Sequence, residues 1–129
     1  MLQNSFYKIV NMDSGQQDCT ATICLNREHE IYKAHFPGQP VTPGVCQIQI
    51  VTEILALQLN EDVYLSDIKN VKYMAVISPE EVSELTVDIQ LKAREQDSCK
   101  VSALFRSGEQ IFSKMSMTYH VVRDNSNIQ

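Results

Sequence analysis

His35-Phe36-Pro37-Gly38-Gln39-Pro40-Val41-Thr42-Pro43-Gly44-Val45 holds two glycines and three prolines within eight residues, from totals of four each in a chain of 129. Proline locks φ, and glycine opens backbone paths closed to other residues. Such a density sets a loop on a fixed course just before a regular element. Thr42 suits a helix N-cap, and Pro43 suits the first helical position, where its missing N–H has no intrahelical partner to lose. From Val45 to Leu59 apolar residues fall on almost every face, among them Ile48, Ile50, Val51, Ile54 and Leu55. That is the pattern of a helix enclosed by other structure. At about fifteen residues, interrupted by Gln47, Gln49, Thr52, Glu53 and Gln58, it is too short and too polar to span a bilayer.

Working outward, the flanks read as strands. Phe6 to Met12 is apolar-rich and is closed by the turn composition Asp13-Ser14-Gly15. Asp18 to Leu25 alternates Ala21, Ile23 and Leu25 with Thr20, Thr22 and Cys24, and is expected to pair with it. Asn26 to Glu30 is a polar break in which His29 reads as a solvated loop residue. Beyond the helix, Val63 to Val76 reads as a strand interrupted near Lys69-Asn70. Leu85, Val87, Ile89, Leu91 and Ala93 alternate with polar residues without a fault, Cys99 to Phe105 alternates again, and Ile111 to Val122 follows. Short turns at Gln96-Asp97-Ser98 and Ser107-Gly108-Glu109 make these last three an antiparallel meander. Tyr119 and His120 read as ordinary sheet residues, and the polar tail Arg123 to Gln129 is expected to fray. The expected class is α+β, an antiparallel sheet wrapped round one long central helix, with residues 1–129 as a single domain.

A formal charge of −5 and a pI near 5.1 give no general basic field, which disfavours a nucleic-acid partner. Cys19, Cys24, Cys46 and Cys99 have no paired CxxC spacing and no histidine cluster nearby, so no metal site is expected, and reduced, mostly buried thiols are. No signal peptide or membrane span is apparent, and a cytoplasmic location is expected.

The string HFPGQPVTPGV, with the helix after it, closely resembles the signature of the β-hydroxyacyl-acyl-carrier-protein dehydratases of fatty-acid synthesis, the FabA/FabZ type. Ile68-Lys69-Asn70-Val71-Lys72-Tyr73, followed by Pro79, is similar to the strand after the helix in that family. The resemblance implies the hotdog fold, an acyl thioester on acyl carrier protein or coenzyme A as substrate, no cofactor, and a homodimer or a heterodimer with a related dehydratase. Subunits in that family join sheets edge to edge, and the sites lie at the interface. A His in HFPG is the base, and a carboxylate fourteen residues on, from the other subunit, is its partner. His35 matches the first; the second falls on Gln49, an amide. The N–H of Gly44, with Val45 beside it, is implied to hold the thioester carbonyl.

Dehydration of a 3-hydroxyacyl thioester needs a base for the C2 proton, a proton donor to the leaving hydroxyl, and hydrogen bonds to the thioester oxygen. A neutral imidazole, with a reference pKa of about 6.5, suits the first task. Free N–H groups at the helix start suit the third. Gln49 can orient a hydroxyl, yet it cannot give up a proton as an acid does. Glu53 stands one turn further along at i+4, about 6 Å along the axis, and is the other candidate for the acid. Three readings stay open: an active or weakly active dehydratase-like lyase, a non-catalytic hotdog subunit that binds acyl chains or acyl carrier protein, alone or paired with an active relative, and a hotdog thioesterase.

Overall fold

A computed structural model describes residues 1–34 and 38–122 of the chain. Six strands, β1 (Tyr7–Ser14), β2 (Asp18–Leu25), β3 (Val63–Tyr73), β4 (Glu84–Glu95), β5 (Ser98–Ser107) and β6 (Gln110–Val121), form one antiparallel sheet in the order β1-β2-β4-β5-β6-β3. A short helix α1 (Glu30–Ala34) precedes the long helix α2 (Gly44–Leu59). The alternation in the sequence explains the layering. Ala21 and Ile23 of β2, Leu85, Val87 and Ile89 of β4, Val101 and Phe105 of β5, and Met115 and Met117 of β6 are all buried in one core cluster with Ile50, Val51, Ile54 and Leu55 of α2. Burying these apolar faces together is what holds sheet to helix.

The β1–β2 pair and the β4–β5–β6 meander stand as the alternation predicts. Gln96 and Gly108 take left-handed backbone angles, φ 47 and φ 60, in the two-residue turns of the meander. The interruption expected near Lys69-Asn70 is a register shift in the β3–β6 pairing between Ile68 and Asn70, and a second lies between Leu65 and Asp67. β3 stops at Tyr73 instead of running to Val76.

Other expectations need correction. Helix α2 begins at Gly44, with Pro43 as its extended cap residue and no side-chain capping bond. Thr42 is not the cap, because its hydroxyl pairs with the Tyr32 hydroxyl at 2.8 Å and its N–H donates to Ile77 O at 2.8 Å. Nor is α2 enclosed on every side: Val45 is 76% exposed and Leu57 48%. The sheet covers the Ile50–Ile54 side and leaves the opposite one open. His29 stands in the loop before α1, half-buried rather than fully solvated. Its Nδ1 accepts from Ile31 N–H at 3.1 Å, capping α1, and its ring meets the edge of Phe6 at 5.3 Å between centroids. Among the described residues no helix is long and apolar enough to cross a membrane, and no group of His, Cys, Asp or Glu could hold a metal ion. The tail read as frayed lies outside the described residues, apart from its approach at Val122.

Candidate active site

The loop that carries the motif is fastened at both ends. Tyr32 on α1 is buried and stacks on Phe6 at 4.9 Å, and its bond to Thr42 ties the approach to the loop to its exit. Gln47 continues the chain of polar contacts into α2: its Nε2 donates to Thr42 O at 3.4 Å, and its Oε1 accepts from Ser113 Oγ of β6 at 2.7 Å. Buried polar groups need partners of this kind. Here the partners hold the start of α2 against the sheet. His35 itself lies outside the described residues.

Gly44 and Val45 form the first turn of α2. The N–H groups of Cys46 and Gln47 reach back to Pro43 O, whereas those of Gly44 and Val45 meet no acceptor among the described residues. They remain able to donate to a ligand oxygen at the positive end of the helix dipole. A Cβ at 44 would lie 2.6 Å from Cζ of Tyr73, the far end of a half-exposed side chain at the end of β3, so a larger residue there would push that ring aside. Val45, Tyr73, Met74 and Val76 together leave exposed apolar surface around the helix start.

Gln49 follows Val45 by one turn on the same face and is likewise exposed. Its Nε2 donates to Glu53 Oε2 at 2.9 Å. Glu53 is only 5% exposed, and its carboxylate also accepts from Leu2 N–H at 2.7 Å, Gln3 N–H at 2.8 Å and Tyr7 Oη at 3.0 Å. Burial alone would push the carboxyl up, but the hydrogen bonds from Leu2, Gln49, Tyr7 and Gln3 outweigh it and hold Glu53 below the usual carboxylate range. The same contact acts in reverse on Tyr7, whose phenol is pushed up by burial and by the charge of Glu53. A carboxylate held in its ionised form this firmly is a poor proton donor, which removes Glu53 as the replacement acid. The sequence holds one clue to this arrangement, an acidic residue inside an apolar helix, which requires partners. It gives no sign that the partners are Leu2, Gln3 and Tyr7.

A groove of about 570 Å³ runs from Gln49 along α2, lined by Thr52, Ala56 and Leu57 and by Val63 at the start of β3. Its ends are polar, Gln49 and Glu53 at one and Asn60, Glu61 and Asp62 at the other, with a short apolar middle between them. The site as described can therefore donate to an oxygen at Gly44 and Val45, and accept or donate at Gln49.

A family model described as ApeI-like, ApeI dehydratase, matches residues 11–115. The chain is 27% identical over 117 residues to the 3-hydroxyacyl-[acyl-carrier-protein] dehydratase FabZ of Levilactobacillus brevis, covering 85% of this chain and 76% of that one. It is 33% identical over 82 residues to the FabZ of Pediococcus pentosaceus, covering 58% and 54%. Among solved structures, the dehydratase heterocomplex ApeI:P from Xenorhabdus doucetiae matches with a TM-score of 0.74 at 20% identity, over 87% of this chain and 96% of that one. A hypothetical thioesterase with coenzyme A from Streptococcus pneumoniae matches at 0.65 and 13% identity, over 90% and 85%. The architecture they share with this chain is the hotdog fold.

Proposed function

This chain belongs to the ApeI-like dehydratase family, and from that premise we propose that it acts on 3-hydroxyacyl thioesters presented by acyl carrier protein, with Gln49 in place of the usual acid. The observation that carries the reading is the family match itself, which spans the HFPGQPVTPGV loop and the whole of α2. In this reading His35 takes the C2 proton, and the charge that develops on the thioester oxygen is met by the N–H groups of Gly44 and Val45. Gln49 orients the 3-hydroxyl without protonating it. The departing hydroxide then takes its proton from water or from the imidazolium, and turnover is slower by about 100- to 10,000-fold than with a positioned carboxylic acid.

A second reading is favoured by two features. Position 49, where the family places its carboxylate, is an amide, and the four donors on Glu53 hold that neighbouring carboxylate as an acceptor; among the described residues the outer edge of β3 is unpaired while exposing Tyr64, Ile68 and Tyr73. An open strand edge with apolar side chains is a pairing surface. Here it would join a related dehydratase whose carboxylate faces His35, much as the ApeI:P match is a heterocomplex. Likeness to thioesterases, at 13% identity, is a likeness of fold.

Assaying enoyl formation from a 3-hydroxyacyl carrier-protein thioester separates the readings. The chain alone should turn over slowly, and His35→Ala should remove that activity. Activity that appears only when a related dehydratase is co-expressed would replace the first reading with the second. No turnover and no binding in either form would overturn both.

A further inference from the structure

Tyr73 has no part in the chemistry above, yet its phenol lies against the first turn of α2. Its Oη and Cζ are the atoms nearest to the position that a Cβ on Gly44 would take. Cβ and N branch from the same Cα, so a hydroxyl against that position stands beside the Gly44 N–H. One residue of β6 fixes the backbone on both sides of this contact. Ser113 pairs with Tyr73 in the ladder, and its hydroxyl donates to Gln47 on α2 at 2.7 Å. Just beyond, Met74 N–H donates to Phe112 O at 2.8 Å. The end of β3 and the start of α2 are thereby held in a set relation, and the Tyr73 side chain spans the space between them. Among the described residues its hydroxyl has no hydrogen-bond partner. Partial burial pushes the phenol up, which keeps it protonated and able to donate.

We propose that Tyr73 is a substrate-binding residue whose hydroxyl joins the N–H groups of Gly44 and Val45 as a further donor to the thioester carbonyl oxygen. The proposal rests on the reading above that those N–H groups hold that oxygen. They reach it along the helix axis, whereas the hydroxyl reaches it from the side, so the donors do not compete for one approach. The same hydroxyl then meets the charge that develops on the oxygen when the C2 proton leaves.

The test measures dissociation constants of wild type and Tyr73→Phe, in the assembly in which each purifies, for two pantetheine ligands of equal chain length. One is a saturated acyl thioester, which has no 3-hydroxyl to eliminate. The other is the matching thioether, in which a methylene replaces the carbonyl. Tyr73→Phe keeps the ring and removes only a hydroxyl that has no partner in the chain, so it leaves no buried group orphaned. It should bind the thioester about three- to tenfold more weakly than wild type does, the usual worth of one hydrogen bond. Its affinity for the thioether should match that of wild type. A role for Tyr73 in packing alone would move both affinities together or neither. Wild type supplies a readout that needs no variant: in NMR spectra of isotope-labelled protein, the Tyr73 Cζ resonance should move when the thioester is added and stay when the thioether is added. Equal thioester affinity in the two proteins, a loss shared by the thioether, or a Cζ resonance that answers both ligands alike would each overturn the proposal. Wild type that binds neither ligand would instead remove the acyl-thioester reading beneath it.

Discussion

Gln47 and Gln49 stand two residues apart on α2 and serve opposite ends. Gln47 is 3% exposed and both parts of its amide are engaged within the chain, the carbonyl by Ser113 and the nitrogen by Thr42 O. Gln49 is exposed, with one N–H of its nitrogen held by Glu53 and the other N–H and the carbonyl left over. One amide is a fastening between the motif loop and the sheet. The other is half a fastening and half a surface open to a ligand. The difference teaches that residue type says little about role at this helix; what decides is how many of a side chain's hydrogen-bonding groups the fold has already used.

The largest expected effect comes from making the two positions differ further. Gln49→Glu should raise dehydration of a 3-hydroxyacyl thioester by about 100-fold or more, the usual worth of a positioned general acid. The new carboxyl would sit where Nε2 now meets Glu53, and two carboxylates so close share a proton. Its pKa is raised, which favours the protonated form that donates to the leaving hydroxyl, and the gain should fade as pH rises through that raised value. An initial-rate pH profile of both proteins checks this, and an unchanged rate beside an active wild type would place the acid elsewhere.

A smaller effect is expected on the other side of the helix. Gln47→Leu would leave the Ser113 hydroxyl without its acceptor and Thr42 O without its donor in a buried setting, at a cost of about 1–3 kcal/mol. Urea unfolding of the two proteins measures it. A loss no larger than that of an ordinary surface change would mean the Gln47 contacts are replaceable by water, and the contrast with Gln49 would disappear.

The smallest effect is in pH. Glu53 titrates below the usual carboxylate range in the folded chain, so the stability it contributes is present above that range. It is lost as pH falls through the folded value. Glu53→Gln should flatten this acid limb of the curve of unfolding free energy against pH. Parallel acid limbs in wild type and variant would show that the carboxylate is not held as described.

Much of the architecture was legible because it depends on local alternation. Leu85 to Ala93, Cys99 to Phe105 and the turns between them define strands whose pairing follows from short connections. The motif loop and the start of a long helix were legible from proline and glycine spacing. Helix α1 was not, because five residues carry too little periodicity to be seen. Thr42 was misread as a cap because the residue that claims its hydroxyl, Tyr32, stands on the far side of the motif loop.

The sequence was enough to read an α+β chain, and its resemblance to a dehydratase family implied a base at His35 and an amide where that family has an acid, at position 49. Each of these follows from neighbours in sequence or from one position at a time. Whether Glu53 could stand in for the missing acid, and which end of the Gln49 amide faces outward, had to wait for folding. Both are set by Leu2, Gln3 and Tyr7, which are 51, 50 and 46 residues from Glu53 along the chain. A carboxyl group's protonation and an amide's orientation belong to the groups around them, and those groups are assembled only when β1 and the residues before it pack against α2.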